Sequence, residues 1–252
     1  MIRSLFFLIL LALAPFAVAL SDSELDSIGR RVWQNECGGT RDGLTSWNAG
    51  ESFASLGIGH FIWYPRGQDG PFEESFPDLV KFLAANGREV PEWLRGDCPW
   101  NNRASFQADF RSARMNELRD LLAGTIRLQS RFLAQRMRAA LPKMLAAAPA
   151  GQRENVRAQF ERLAGSGAGT FALIDYVNFK GEGTKSSERY RGEGWGLLQV
   201  LAGMNGSGAG GAREFGASAA RVLTRRVENS PAERGESKWL PGWKNRVRAY
   251  GE

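Results

Sequence analysis

The sequence predicts an α+β fold that is predominantly α-helical. Residues 105–148 are helix-forming nearly throughout, with apolar side chains in stripes at helical spacing. Residues 53–64 are instead rich in aromatic and β-branched residues and are interrupted by Gly57 and Gly59, which indicates a short β-hairpin. Several further helical patterns follow towards the end of the chain. We therefore expect a small hairpin set beside a larger helical body.

The first nineteen residues have the three parts of a secretory signal. Arg3 gives a charged start, residues 5–18 form an apolar run, and Ala17 to Ala19 form a small-residue cleavage site. The alternative is an uncleaved membrane anchor, but the run is short for a membrane span and contains Pro15. We expect cleavage after Ala19, export to the periplasm or the medium, no stable membrane insertion, and a single domain over residues 20–252.

The charge and the cysteine count narrow the possible partners. The full chain carries a formal net charge of +6, which in an exported protein favours an anionic wall or surface polymer over nucleic acid, although it can also serve solubility alone. Cys37 and Cys98 are the two cysteines, and we expect them to form a disulfide, with two free buried thiols as the alternative. With one histidine besides, no usual zinc site can be assembled, so we expect no metal and no cofactor.

The first helix is predicted to end beside a carboxylate. Apolar residues at helical spacing begin at Leu25, Ser21 or Ser23 can cap the start, and Gly38 and Gly39 end the helix just after Glu36.

The helical body is predicted as a series of helices separated by small residues. Gly124 divides the stretch 105–148, residues 149–151 form a turn, and residues 165–169 form a flexible connector. The segment 103–164 is a possible insertion into the domain. Helices are expected at 155–163, 172–179, 195–204, 212–227 and 241–250.

A carboxylate that ends a helix and faces a glycine-broken hairpin suits glycosidic bond cleavage. The reaction needs a carboxylic acid that protonates the leaving oxygen, and apolar neighbours such as Trp33 or Trp47 can keep Glu36 protonated.

The order Glu36 followed by Ser55-Leu56-Gly57-Ile58-Gly59-His60 resembles the phage-type lysozymes, over about a sixth of the chain. The resemblance implies a lysozyme-like fold with Glu36 as general acid, Ser55 positioning water and His60 supporting the site. The second acid of that family falls by residue count on Thr45 or Ala49. Asp42 and Glu51 are the nearby carboxylates, and we predict Glu51 for this role.

Aromatic and polar residues in two segments are predicted to bind sugar, because aromatic faces stack on sugar rings and polar groups bond to their hydroxyls. In the later segment, Glu182 can instead be a salt-bridge partner of Lys180, and Trp63 can equally be a core residue. The predicted substrate contacts are Trp47, Asn48, Trp63, Tyr64, Asn178, Lys180, Glu182, Tyr190 and Trp195.

The sequence thus predicts a monomeric glycoside hydrolase that cleaves β-1,4 bonds of a cell-wall amino-sugar polymer such as peptidoglycan. A chitosanase, a lytic transglycosylase and a non-catalytic wall-binding protein remain the alternatives.

Overall fold

The computed structural model describes residues 20–252, and the predicted signal peptide lies outside the described residues. Within residues 20–252 the α-helices are α1 Asp22–Cys37, α2 Phe76–Ala85, α3 Arg103–Asp109, α4 Ala113–Ala123, α5 Ile126–Ala147, α6 Arg153–Ala164, α7 Gly167–Lys180, α8 Leu197–Ala202, α9 Gly211–Asn229 and α10 Leu240–Arg248. The strands are β1 Thr45–Ser46, β2 Ala54–Leu56, β3 Phe61–Trp63, β4 Arg189–Tyr190 and β5 Glu193–Gly194. Short 3₁₀ segments connect several of these elements. The α+β, mainly helical class is confirmed.

The predicted hairpin is present and gains a third strand. β2 and β3 pair antiparallel, with Ser55 opposite Ile62, and β1 adds antiparallel to the other edge of β2, with Ser46 opposite Ser55. β1 was not predicted because two residues are too short to show an alternating pattern. The sheet lies directly after α1 in the chain and so stands beside the end of that helix.

Helix α1 begins and ends where the sequence indicates. The Ser21 side chain accepts a hydrogen bond from the Glu24 amide, and the Glu24 carboxylate accepts one from the Ser21 amide, which forms a capping box. Gly38 closes the helix at φ 62°, a left-handed conformation that glycine adopts without a steric cost. This places Glu36 in the last turn of α1.

The helical body contains more breaks and more helix than predicted. Gly124 does separate α4 from α5, but a further break precedes α4, whose start is capped by the Ser112 hydroxyl. The expected connector 165–169 is largely helical, since Ser166 caps α7 and accepts a hydrogen bond from the Gly169 amide at 3.1 Å. Helix α2 was not predicted at all. Local capping residues thus decided boundaries that hydrophobic periodicity left open.

One contiguous buried cluster joins the sheet to the helices. It includes Val32 of α1, Leu56 of β2, Met137 of α5, Leu173 of α7 and Val247 of α10. Helix α5, within the segment 103–164, thus supplies residues to this core.

The predicted disulfide is absent, and this expectation was wrong. Cys37 and Cys98 are both free and buried. Sγ of Cys37 donates to the carbonyl of Gly57, whereas Sγ of Cys98 donates to the carbonyl of Trp100, each at 3.5 Å. Burial raises the pKa of the two thiols to about 12 and about 11 respectively. An even cysteine count carries no information about position, and the fold packs each thiol as a small apolar group.

No helix within residues 20–252 is long and apolar enough to cross a membrane.

Candidate functional site

The carboxylate of Glu36 lies at the junction between α1 and the sheet. Its side chain is 14% exposed, so it is mostly enclosed but still reaches the surface. His60, in the turn between β2 and β3, faces it, with Nδ1 lying 3.5 Å from Oε2 of Glu36. The structure therefore brings together two of the residues that the sequence singled out.

Arg246 of α10 holds the other oxygen of Glu36. Its Nη2 donates a hydrogen bond to Oε1 of Glu36, and its guanidinium lies 4.2 Å above the centre of the Phe179 ring. Helix α10 can reach this position because it packs closely on α9: a Cβ added at Gly216 would lie 2.4 Å from the carbonyl oxygen of Val247. The end of the chain thus contributes directly to the site.

A fully buried carboxylate, Asp175 of α7, fixes Arg246 from behind. Arg246 donates to both oxygens of Asp175, from Nε and from Nη2, each at 2.8 Å. Tyr250 donates to the same carboxylate at 2.6 Å, and Asn35 donates to it at 3.0 Å. Asp175 is 0% exposed, so its charge is balanced inside the protein. The result is a rigid hydrogen-bonded group that orients the accessible carboxylate of Glu36.

The same contacts set the protonation of Arg246. Burial by itself would lower its pKa, but the hydrogen bonds to Asp175 and the charges of Asp175 and Glu36 raise the pKa above the usual arginine value. Arg246 is therefore a permanent cation in this site.

His60 is held in an uncommon backbone conformation. Its φ is 48°, and its amide donates to the carbonyl of Gly57 to close the turn between β2 and β3. Burial lowers the pKa of His60 below the usual 6.5, while the charges of Glu36 and Glu51 act in the opposite direction. The imidazole is thus kept mainly neutral beside Glu36, and the left-handed turn is what aims it there.

The other residues predicted for chemistry differ in their access to solvent. Glu51 is partly exposed and accepts a hydrogen bond from Nδ2 of Asn48 at 3.1 Å. Its charge acts to raise the pKa of His60, so it lies within electrostatic range of that imidazole. Ser55 is 3% exposed within β2, which removes its hydroxyl from contact with a bound polymer. Glu51 keeps a place in the site and Ser55 does not.

Three of the aromatic residues predicted to stack on sugar lie in the core instead. Trp47, Trp63 and Tyr64 are 4%, 2% and 4% exposed. Their ring neighbours are protein side chains: Phe106 for Trp47, Phe76 for Trp63 and Phe53 for Tyr64. Aromatic residues in a short strand pack against neighbouring helices, and sequence composition does not distinguish this from ligand binding.

A second polar cluster contains Tyr190 and Trp195, whose rings lie 4.5 Å apart. The Tyr190 hydroxyl donates at 2.9 Å to Glu236, which is 2% exposed and also binds Arg226 through both carboxylate oxygens. The Arg226 guanidinium lies 4.2 Å above the Trp195 ring. Trp195 is 8% exposed, so this cluster is a packed wall rather than an open platform.

Lys180 connects this cluster to Glu36. Its Nζ lies 3.5 Å from the centre of the Trp243 ring and 3.9 Å from that of Phe179, the ring beneath Arg246. Arg226 lies 5.1 Å above the same Trp243 ring. Asn178 and Glu182, two positions before and after Lys180, show no ligand-binding geometry. Asn178 is partly buried in α7, and Glu182 forms an ion pair at 3.1 Å with Lys143 rather than with Lys180, the partner that the salt-bridge alternative expected.

Sequence analysis missed most partners of Glu36. Asp175 could have been found, because a lone carboxylate in the apolar run from Phe171 to Val177 requires a buried cation. Arg246 gives no such signal, since it is one of many arginines on amphipathic helices. Trp243 is equally inconspicuous.

Two cavities in other parts of the fold lie away from Glu36. The larger, of about 470 Å³, lies between α8, α9 and the β4–β5 turn and is lined in part by Arg189, Arg221 and Arg225. Within residues 20–252, no group of three His, Cys, Asp or Glu side chains is placed to hold a metal ion.

No protein-family model matches this chain, and neither a curated protein nor a solved structure matches it. What the site can do therefore follows from its own atoms.

Proposed function

We propose that the protein is a glycosidase with a lysozyme-like arrangement that cleaves a cell-wall amino-sugar polymer, with Glu36 as the proton donor. The observation that carries the proposal is the placement of Glu36. A mostly enclosed carboxyl group reaches the surface where α1 ends, and it faces His60 in the glycine-containing turn between β2 and β3.

The charge balance around Glu36 supports this role. Glu36, Asp175 and Arg246 together carry two negative charges and one positive charge. Asp175 is out of contact with solvent and already binds Arg246 at two points, so Glu36 is the member of this group that a bound substrate can reach. The Arg246–Asp175 pair is held by its own two hydrogen bonds, so a proton transfer between Glu36 and a substrate would not require this pair to rearrange.

In the hydrolytic reaction, Glu36 transfers its proton to the glycosidic oxygen as the bond from that oxygen to the anomeric carbon breaks. A water molecule adds to the anomeric carbon, and its proton passes to Glu51. Glu51 is the partly exposed carboxylate within electrostatic range of His60, and it accepts a hydrogen bond from Asn48. A lytic transglycosylase would need only one acid, so the effect of removing Glu51 separates the two reactions.

The net charge of the chain favours a neutral or anionic polymer. The whole chain is basic, with a formal net charge of +6. Chitosan carries amines that are cationic at mildly acid pH, and the net positive charge of the chain would oppose its binding. Peptidoglycan carries carboxylates, so we favour it over chitosan as the substrate.

The test compares Glu36→Gln with the unchanged protein on purified sacculi, with release of soluble glycan fragments and of reducing ends as the two readouts. Loss of the acid should lower the rate by about 10²- to 10⁴-fold. Glu92→Gln is the matched control, since the Glu92 side chain is 93% exposed and lies on a 3₁₀ segment outside the site. Circular dichroism checks that each variant is folded.

Each result leads to a definite conclusion. A Glu36→Gln protein that cleaves at the normal rate ends the proposal. Binding of the unchanged protein to sacculi without released product would identify a wall-binding protein instead. A fully active Glu51→Gln, together with an inactive Glu36→Gln, selects the transglycosylase reaction.

A further inference from the structure

Two tryptophans, Trp239 just before α10 and Trp243 within it, lead from the protein surface towards Glu36. Trp239 is 45% exposed, and Trp239 and Phe72 are the large hydrophobic side chains that stand out as exposed in the described part of the chain. Trp243 follows one turn later, and the two ring centres are 6.0 Å apart. Single exposed apolar residues are common on protein surfaces, so the exposure of Trp239 alone indicates nothing.

The contacts of Trp243 distinguish this pair from a chance exposure. Its ring lies 6.3 Å from that of Phe179, and the Arg246 guanidinium lies above Phe179. Trp243 and Arg246 thus occupy one face of α10, because they are three residues apart, and Trp239 lies one turn before Trp243. The rise along a helix puts Trp239 roughly 10 Å from Arg246, a distance on the scale of a disaccharide.

Lys180 lies within this row and lacks a close anion. Among the described residues, its Nζ forms no ion pair with a carboxylate; its neighbours are the Trp243 and Phe179 rings. Burial, followed by the charge of Arg226, lowers the pKa of Lys180 from the usual 10.5 to about 6. The faces of the two rings attract the ammonium group and partly oppose this effect. A carboxylate that arrived beside Lys180 would supply the missing countercharge.

We propose that Trp239, Trp243 and Lys180 form a subsite for a carboxylate-bearing sugar unit, next to Glu36 along the polymer. The sugar ring packs on Trp239 in place of the Lys238 ammonium group, whose Nζ lies 4.7 Å from the centre of that ring, and its carboxylate binds Nζ of Lys180. The identity of the polymer rests on the proposed function, but the subsite itself is defined by binding. It would explain why a row of aromatic rings and cations extends from Glu36 to the surface.

Binding is measured by calorimetry in the Glu36→Gln background, which removes turnover. The acidic probe is a peptide-free oligosaccharide of alternating N-acetylglucosamine and N-acetylmuramic acid. The neutral probe is an N-acetylglucosamine oligomer of equal length. Trp239→Ala should weaken binding of both probes by about tenfold, because both lose the ring contact.

Lys180→Met keeps an apolar stem over the Trp243 and Phe179 rings and removes only the amine. This variant should lower the affinity for the acidic probe by about tenfold and leave the affinity for the neutral probe unchanged. Phe72→Ala, at the other exposed ring, and Lys81→Met, in an exposed pair with Asp78, are the matched controls and should change neither affinity.

The dependence on pH gives an independent readout. The groups whose charges act on Lys180 are Arg226, Glu236, Arg246 and Glu36, and Glu36 is already neutral in the background used. Because the bound carboxylate favours the protonated amine, affinity for the acidic probe should fall between pH 5.5 and pH 7.5. Lys180→Met should remove this dependence.

Failure of the subsite and failure of the proposed function give different results. Unchanged affinities in Trp239→Ala, or equal losses for both probes in Lys180→Met, overturn the subsite even if the protein cleaves sacculi. The expected pattern of affinities in a protein that releases neither soluble glycan fragments nor reducing ends supports the subsite and removes the enzymatic proposal.

Discussion

Arg246 and Glu36 are 210 positions apart in the sequence, yet Nη2 of Arg246 donates a hydrogen bond directly to Oε1 of Glu36. The first described helix and the last one therefore share a single polar group. Asp175, near the middle of α7, binds the same arginine and completes the arrangement. The site is consequently a property of the packed helices and not of any one segment.

The titration of His60 tests the electrostatics of the site. As this chain contains one histidine, a single imidazole resonance can be followed by NMR. We expect a pKa below 6.5 in the unchanged protein, because burial outweighs the charge of Glu36. Glu36→Gln should lower the pKa further, since it removes that charge, whereas Glu92→Gln should leave it unchanged. A value above 6.5, or a rise in Glu36→Gln, would contradict the described geometry.

The lowered pKa of His60 also determines in which direction the stability of the protein changes with pH. The pKa of His60 is lower in the folded protein than in the unfolded chain, so the unfolded state binds more protons in acid. The contribution of His60 is favourable above about pH 6.5 and is lost as the pH falls below that value.

Asp175 is expected to be important for stability. Asp175→Asn removes the charge that balances Arg246 in the interior, so the free energy of unfolding should fall by about 3–5 kcal/mol. The control is Asp97→Asn, because Asp97 is 56% exposed and pairs with exposed Arg66. That variant should change the free energy by less than about 1 kcal/mol. Urea denaturation measures both, and equal effects would contradict the assigned burial of the Asp175 group.

The two thiols should be unreactive in the folded protein. Burial raises the pKa of Cys37 to about 12 and that of Cys98 to about 11, so little thiolate is present at pH 8. An aromatic disulfide reagent should label neither thiol in the folded state and both in urea. Reduction with dithiothreitol should leave the melting temperature unchanged. A drop in melting temperature on reduction would instead indicate a bridge.

Gly57 is expected to be required for the turn that carries His60. It has φ 72°, and a Cβ at this position would lie 2.5 Å from Oε1 of Gln129, the acceptor for the Ile58 amide. Gly50→Ala is the matched control, with φ 87° and nothing within 4 Å of the added carbon. The control should lower the free energy of unfolding by about 1–2 kcal/mol, because alanine is strained in the left-handed backbone conformation. Gly57→Ala should lower it by roughly 1–3 kcal/mol more, since this substitution also disrupts the buried hydrogen bond.

Equal losses in these two glycine variants, measured by urea denaturation, would show that the contact with Gln129 has no energetic importance.

The sequence by itself determined the local features of this protein. Ser21, Gly38 and Gly124 mark helix ends because capping and left-handed backbone depend on one or two residues. Periodicity likewise identified the helical body and the hairpin, and with them the position of Glu36 at a helix end. These properties are fixed by interactions within a few positions of each residue.

Only the tertiary structure decided which side chains meet. It placed Arg246 and Asp175 on Glu36, put Trp63 and Tyr64 in the core, and kept Cys37 and Cys98 apart. An arginine or a tryptophan has the same local pattern whether it binds a ligand or packs in the interior. Its partner is set by how α1, α7 and α10 pack against one another, and that packing is a collective result of burying the apolar faces of all three helices.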